Sequence, residues 1–278
     1  MSSKKWEMVI TDLDGTLFND NREVSLIDMK SLYWLGENNV LRVIATGRNF
    51  YSLSKVIKPS FPIDYLIFSS GAGIYDWKNR RLLQPEKIDK NEVKEIARIL
   101  IDHRIDFMVH KTIPENHHFL YHRVSETNPD FERRIEVYKE FAIPLNPLQE
   151  NYDDACQIIA VLPNNIELFK ELTTKFTDIK IIRTTSPLDG ESIWMEIFPE
   201  NVSKGHAIKW LCKKLNISSE KTISVGNDYN DLDMLEFTDQ SFVVANAPED
   251  LQQKFPVCSS NQEHAYSDVV SRYFDIGF

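Results

Sequence analysis

Asp12 and Asp14 stand two residues apart at the end of a short apolar run, Val9-Ile10-Thr11, and Gly15 follows directly. Side chains at i and i+2 of a strand share a face, and a strand that ends beside them splays the pair. One carboxylate can then attack an electrophile or hold a metal while the other moves protons. Gly15 permits a sharp turn that a bulkier residue resists. The same fragment also suits an Asp-rich surface turn, since Asp bonds its own backbone there. Three further polar groups follow apolar runs. Thr46-Gly47-Arg48 follows Val40 to Ala45, Ser69-Ser70-Gly71 follows Tyr65 to Phe68, and Gly226-Asn227-Asp228-Tyr229-Asn230-Asp231 follows Thr222 to Val225. Lys204 lies at the start of a helical stretch, Val202 to Leu215, with Ser203 as its N-cap.

The spacing of the surrounding residues predicts the scaffold. Ser25 and Asp28 form a capping pair for a helix whose apolar positions are Leu26, Met29, Leu32, Tyr33 and Gly36. Val40 to Ala45, apolar apart from Arg42, reads as a strand buried on both faces. Strand, helix and strand within about 40 residues make a βαβ unit and hence a parallel sheet. A hairpin is expected around Trp77-Lys78-Asn79. From about Gln84 the pattern changes. Helices are expected over 91–103, 130–141 and 166–176, interleaved with strands over 105–110, 119–123, 156–162, 179–184 and 192–197. These strands follow one another without regular crossover helices, which implies an antiparallel sheet in an inserted α+β unit. The expected fold class is therefore α/β, a parallel-sheet core of residues 1–83 and 190–278 with an insertion over 84–189. The core is expected to resume near Ser192 to Ile197, and to continue through a strand over 242–245 and a closing helix over 264–274.

Bulk composition excludes several classes. A net charge of -10 argues against nucleic acid as a main partner, because phosphate-backbone binding needs clustered Lys and Arg. An anionic substrate would need a local cation or a metal. Cys156, Cys212 and Cys258 are odd in number and widely spaced, so they read as buried thiols of a reducing compartment. The N-terminus shows no signal-peptide pattern, and no apolar run approaches the roughly 18 residues of a membrane span. Together these predict a cytoplasmic protein with no membrane partner.

In an open parallel sheet, ligands bind beyond the carboxyl ends of the strands, where Asp12, Asp14, Thr46, Gly47 and Asn227 to Asp231 would gather with Lys204. The chemistry such a set can perform is phosphoryl transfer. That reaction needs an in-line nucleophile and stabilisation of charge on the phosphoryl oxygens, and a carboxylate can form an aspartyl-phosphate. Mg²⁺, which favours oxygen ligands and keeps waters, suits a site with few carboxylates. Taken singly, each residue also has an ordinary reading: Thr46 ends a strand, Lys204 is a solvated first-turn residue, and Asp228 to Asp231 cap a helix.

Their order along the chain resembles the Cof-type branch of the haloacid dehalogenase (HAD) superfamily of aspartate-nucleophile phosphatases. The resemblance rests on Asp-Leu-Asp-Gly-Thr-Leu, Ala-Thr-Gly-Arg, Ser-Ser-Gly-Ala-Gly-Ile-Tyr-Asp, Val-Ser-Lys-Gly-His-Ala and Gly-Asn-Asp-Tyr-Asn-Asp-Leu-Asp-Met-Leu, and it spans nearly the whole chain. It implies a Rossmann-like core with an α/β cap. Asp12 would be nucleophile and Mg²⁺ ligand, and Asp14 the acid and then base, with its backbone carbonyl also on the metal. Leu13, Thr46, Gly47, Lys204 and Asn230 would hold the phosphate, and Asn227 and Asp231 would complete the metal site.

Two positions depart from the family pattern. Asn227 replaces an Asp, which predicts weaker metal affinity, and the adjacent Asp228 is the alternative ligand. Ser70 replaces a common Asn, which bears on specificity. The implied partner is a small phosphorylated metabolite, a sugar phosphate in the leading reading, with the cap closing over it. In that cap His110, His117, His118, His122, Arg123, Arg183 and Asp189 are candidate polar contacts or plain surface. A phosphotransferase or mutase, or a catalytically weakened binding member, are the alternative functions.

Overall fold

The computed structural model describes residues 6–146, 151–186 and 192–276. Two compact units emerge, one of residues 1–48, 52–84 and 203–278, the other of 49–51 and 85–202.

The first unit is built on apolar runs that are buried on both faces. Its strands are β1 (Met8–Thr11), β2 (Leu41–Ala45), β3 (Tyr65–Phe68), β4 (Gly73–Asp76) and β5 (Arg81–Pro85), followed after the insertion by β12 (Thr222–Gly226), β13 (Gln240–Val244) and β14 (Val257–Cys258). They lie in the order β14-β13-β12-β1-β2-β3-β4-β5. Pairing from β14 through β3 is parallel, and β4 turns back antiparallel on β3. The chain moves outward from β1 to β3 on one side and from β12 to β14 on the other. β1 is thus at the switch point of the sheet, and all the strands that flank it end at one edge.

Helices α1 (Leu26–Glu37), α2 (Phe50–Ser54), α6 (Lys204–Leu215), α7 (Leu232–Phe237), α8 (Glu249–Lys254) and α9 (Ala265–Ser271) accompany these strands, with α3 to α5 in the insertion. Ser25 caps α1 by accepting from the Asp28 amide, the role expected of it. The buried face of α1 differs from the apolar pattern: Asp28, Ser31, Leu32 and Leu35 point inward, while Leu26 is 83% and Tyr33 54% exposed. At this seam Asp28, Ser31 and Ser267 partner one another, while the buried Tyr266 hydroxyl of α9 has no hydrogen-bond partner among the described residues. Ser267 of α9 donates from N and Oγ to Asp28 Oδ1, and its hydroxyl meets that of Ser31 at 2.9 Å. Arg42, the charged residue inside the β2 run, is buried on a bidentate pair with Asp64.

The second unit holds α3 (Lys90–Asp102), α4 (Pro129–Val137), α5 (Ile166–Thr173) and the strands β6 (Phe107–Lys111), β7 (Phe119–His122), β8 (Ala142–Pro144), β9 (Ala155–Leu162), β10 (Ile179–Thr185) and β11 (Ile193–Pro199). The order is β10-β11-β9-β6-β7-β8, antiparallel except for the parallel pair of β7 with β8. Every residue of the central strand β9 is buried, because Ile158, Ala160 and Leu162 join one core and Ile159 and Val161 the other.

The core therefore does not resume at Ser192 to Ile197, nor at residue 190. β11 pairs with β9 and β10 in the second sheet, and the first unit restarts at Ser203. The apolar run of 193–198, broken only by Glu196, is equally suited to either sheet, and register with β9 decides it. The short strands β8 and β14, the short helices α2, α7 and α8, and the full extents of the others lay below the reach of periodicity. The three cysteines are buried and free, and burial pushes the Cys156 and Cys258 thiols up to about 12.

Several of the histidines pack against other rings. His117 contacts the rings of His118 and Phe141 within an aromatic group, His122 packs on Phe107, and His110 is buried. Arg123 is exposed and paired with Glu132, Arg183 lies on β10, and Asp189 falls outside the described residues. Among the described residues no three or more His, Cys, Asp or Glu side chains group together as a metal-holding cluster, and no helix is long and apolar enough to cross a membrane.

His110 Nδ1 bonds the Asn116 carbonyl at 2.8 Å and so carries the ring proton. Burial, with the nearby Arg134 charge, pushes its pKa down to about 3. The unfolded chain binds a proton at His110 below about 6.5 and the folded one does not, so stability falls as pH drops through that window. Between pH 7 and 5 this amounts to roughly 2 kcal/mol. Denaturant titrations of wild type and His110→Leu at the two pH values should show the variant losing about that much less on acidification.

Candidate functional site

Each strand beside the switch point delivers a polar residue to the same edge. Asp12 follows β1, Thr46 follows β2, Ser69 follows β3 and Asn227 follows β12, while Lys204 opens α6. Ser203 sets that opening by accepting from the His206 amide.

Lys204 is fully buried, and its Nζ donates at 2.6 Å to Asp12 Oδ1 and at 2.6 Å to Asp231 Oδ1, with a longer contact of 3.4 Å to Asn230 Oδ1. Asp12 is 5% exposed. Burial and the neighbouring Asp231 and Asp14 carboxylates push its pKa up to about 7 against the pull of Lys204, whose own pKa is raised because two carboxylates outweigh its desolvation. Oδ2 of Asp12 is the oxygen not bound to Lys204.

Asp231 is held from behind. Its Oδ2 accepts from the amides of Asn227 and Asp228, and the Asp228 side chain accepts in turn from the Asp231 amide, which completes a capping box, as well as from the Tyr229 amide. Both oxygens of Asp231 are thus engaged inside the protein. This close approach requires Gly226, where an added Cβ would lie 2.6 to 2.7 Å from the Asp231 carboxyl group. Gly15 has φ +74°, and the Asn227 amide nitrogen sits 2.6 Å from where its Cβ would be. The Asn227 side chain therefore lies against the turn that follows Asp14.

Asp14 points elsewhere. Arg48 Nε and Nη2 donate to its Oδ2 and Oδ1, each at 2.6 Å. The Thr46 hydroxyl accepts from the Arg48 amide at 3.1 Å, which leaves its own proton to donate. Gly47 marks where the loops converge, since a Cβ there would be 3.5 Å from Ser70 Oγ and 3.6 Å from Asn230 Nδ2. Ser69 and Ser70 both adopt left-handed backbone, φ 49° and 53°, an unusual pair for non-glycine residues, and are fixed by bonds from their amides to the Arg48 and Thr46 carbonyls. Leu13 is wholly buried between the two aspartates, so any part it plays toward a ligand is through its backbone.

The structure thus gathers Asp12, Asp14, Thr46, Gly47, Lys204, Asn227, Asn230 and Asp231 in one unit. Arg48 and Asn246, which donates to the Gly15 carbonyl at 2.9 Å, are site neighbours to which sequence reasoning gave no role. For Arg48 the signal was present, an Arg two residues after Thr46.

For a cation, the donor set of Asp12 carboxylate, Asp14 main-chain carbonyl and Asn227 amide oxygen has the hard-oxygen chemistry that suits Mg²⁺. Asp231, already bonded to Lys204 and two amides, fits an anion that steadies the site from behind.

An open parallel sheet with carboxylates at its switch point and an inserted α+β unit defines a Rossmann-like α/β core. The sequence matches the haloacid dehalogenase-like hydrolase family over residues 9–270, and the chain belongs to that family. Phosphatase YwpJ of Bacillus subtilis (strain 168) is 27% identical over 285 residues, covering 95% of this chain and 98% of its own. BT1666 of Bacteroides thetaiotaomicron, described among phosphatases of the HAD superfamily, shares the fold at TM-score 0.81 and 16% identity, over 98% of this chain and 96% of its own. BT4131, described as a HAD subclass IIB sugar phosphatase, does so at TM-score 0.76 and 19% identity, over 96% and 98%.

Gly226→Ala should destabilise the protein by about 1–3 kcal/mol, because its methyl displaces the Asp231 carboxylate. Equilibrium unfolding checks this.

Proposed function

We propose that the protein is a Mg²⁺-dependent phosphomonoesterase acting on small phosphorylated metabolites, sugar phosphates foremost, through an aspartyl-phosphate on Asp12. The observation that carries this reading is Lys204, which binds one oxygen of Asp12 and leaves Oδ2 for attack. Nucleophile and cation are thereby fixed before substrate arrives.

Oδ2 attacks phosphorus and the bond to the leaving oxygen breaks, with that oxygen taking a proton from Asp14. Water then gives a proton to Asp14 as its oxygen attacks the phosphorus, and Asp12 departs as a carboxylate. Lys204, the Thr46 hydroxyl, backbone amides around Leu13 and Gly47, and the Asn230 amide donate to the phosphoryl oxygens, and the α6 N-terminus favours their charge. Asp12, the Asp14 carbonyl and Asn227 would hold Mg²⁺, which supplies charge neutralisation between the two anions. Support for the substrate class comes from relatives named as phosphatases and from BT4131, described as a sugar phosphatase.

With p-nitrophenyl phosphate and a panel of sugar phosphates in millimolar Mg²⁺, wild type should turn over and Asp12→Asn should fall to background. Absence of turnover on every phosphomonoester would favour a binding role instead. Asn227→Asp should lower the Mg²⁺ concentration giving half-maximal rate, and an unchanged or higher requirement would remove Asn227 from the metal site.

A further inference from the structure

We infer that Arg48 is the positioning residue for the proton-handling carboxylate, Asp14, and couples it to the phosphate-holding Thr46. The inference rests on the phosphomonoesterase reading above and adds to it a residue with no role there.

The geometry is specific to an arginine. Nε and Nη2 present two parallel donors, and both oxygens of Asp14 lie 2.6 Å from them. Such a fork fixes the plane of the carboxylate as well as its place, which a lysine ammonium cannot do. Asp14 needs this restraint, because its side chain is 44% exposed, whereas Arg48 is 17% exposed. A carboxylate accepts at about four lone-pair sites, so the fork leaves each oxygen able to meet a substrate or water proton.

Arg48 is itself held from three directions. Nη1 donates to Ser52 Oγ at 3.0 Å, its amide to Thr46 Oγ1 at 3.1 Å, and its carbonyl accepts from the Ser69 amide at 2.9 Å. One residue therefore ties the loops after β1, β2 and β3 together. The hydroxyl offered to the phosphate and the carboxylate offered to the leaving oxygen are set by the same side chain and its own amide. A proton donor misplaced by about 1 Å can lose a factor on the order of 100 in rate.

The test separates positioning from a merely structural role by leaving group. Expulsion of p-nitrophenolate needs little protonation, while an alkoxide such as that from glycerol 2-phosphate needs it fully. kcat/KM for both substrates is measured in wild type, Arg48→Lys and Arg48→Gln, with thermal melts to verify folding. The expected result is that Arg48→Gln lowers kcat/KM for glycerol 2-phosphate at least about tenfold more than for p-nitrophenyl phosphate, with Arg48→Lys between. In an Asp14→Asn background, adding Arg48→Gln should leave the ratio of the two kcat/KM values unchanged.

Equal losses on both substrates in a folded variant would overturn the role of Arg48 while leaving the phosphatase reading intact. So would a continued change of the ratio in the Asp14→Asn background. Should Arg48→Gln fail to fold, the same comparison on Arg48→Lys decides, with an unaltered ratio counting against positioning. No turnover of either substrate by wild type would instead sink the parent reading and this inference with it.

Discussion

A single buried ammonium organises the site. Lys204 has no exposed surface and bridges Asp12 and Asp231 at 2.6 Å each, so one positive charge is shared by two carboxylates. Taking such ions out of water costs several kcal/mol per ion, and only close pairing with further hydrogen bonds offsets it. Those further bonds come from the amides of Asn227 and Asp228, made possible by a glycine at 226 and by the capping box at the following turn. The arrangement leaves one excess negative charge, which is why burial still pushes Asp12 up to about 7. A chain of net charge -10 thereby keeps a local cation at the one edge where the proposed substrate would need it.

The parallel sheet makes this arrangement possible. Because β1 lies between β12 and β2 with all three parallel, residues far apart in the chain end at one edge. Asp12, Thr46 and Asn227 need no long loops to meet. The polar residues of the site are held by main-chain bonds at strand ends, which places them with little conformational freedom, as a preorganised charge site demands.

Much of this was legible in the sequence because the informative residues are short, polar and sit at strand ends. Asp-Leu-Asp-Gly, Ala-Thr-Gly-Arg and Gly-Asn-Asp-Tyr-Asn-Asp mark the edge directly, and the apolar runs before them give the strands. What sequence did not disclose depends on partners distant in the chain. The inward face of α1 is polar at Asp28 and Ser31 because Ser267 meets it, and no periodicity of α1 alone reveals that. β11 reads equally as core or insertion until its register with β9 is known. Arg48 was in plain view, yet its role follows only from Asp14 lying opposite its fork. Asp231 looked like one acid among several metal donors, and its bonds to Lys204 and two amides could not be read from its spacing.

The central claim is that the Lys204 charge is what holds Asp12 and Asp231 in their places. The most direct measurement is the unfolding free energy of Lys204→Met, alone and with both partners neutralised as Asp12→Asn and Asp231→Asn. Removing the cation alone should cost about 3–5 kcal/mol, since it strands two buried carboxylates, and much of that loss should return in the triple variant. A change below about 1 kcal/mol for Lys204→Met, or no recovery in the triple variant, would contradict the account.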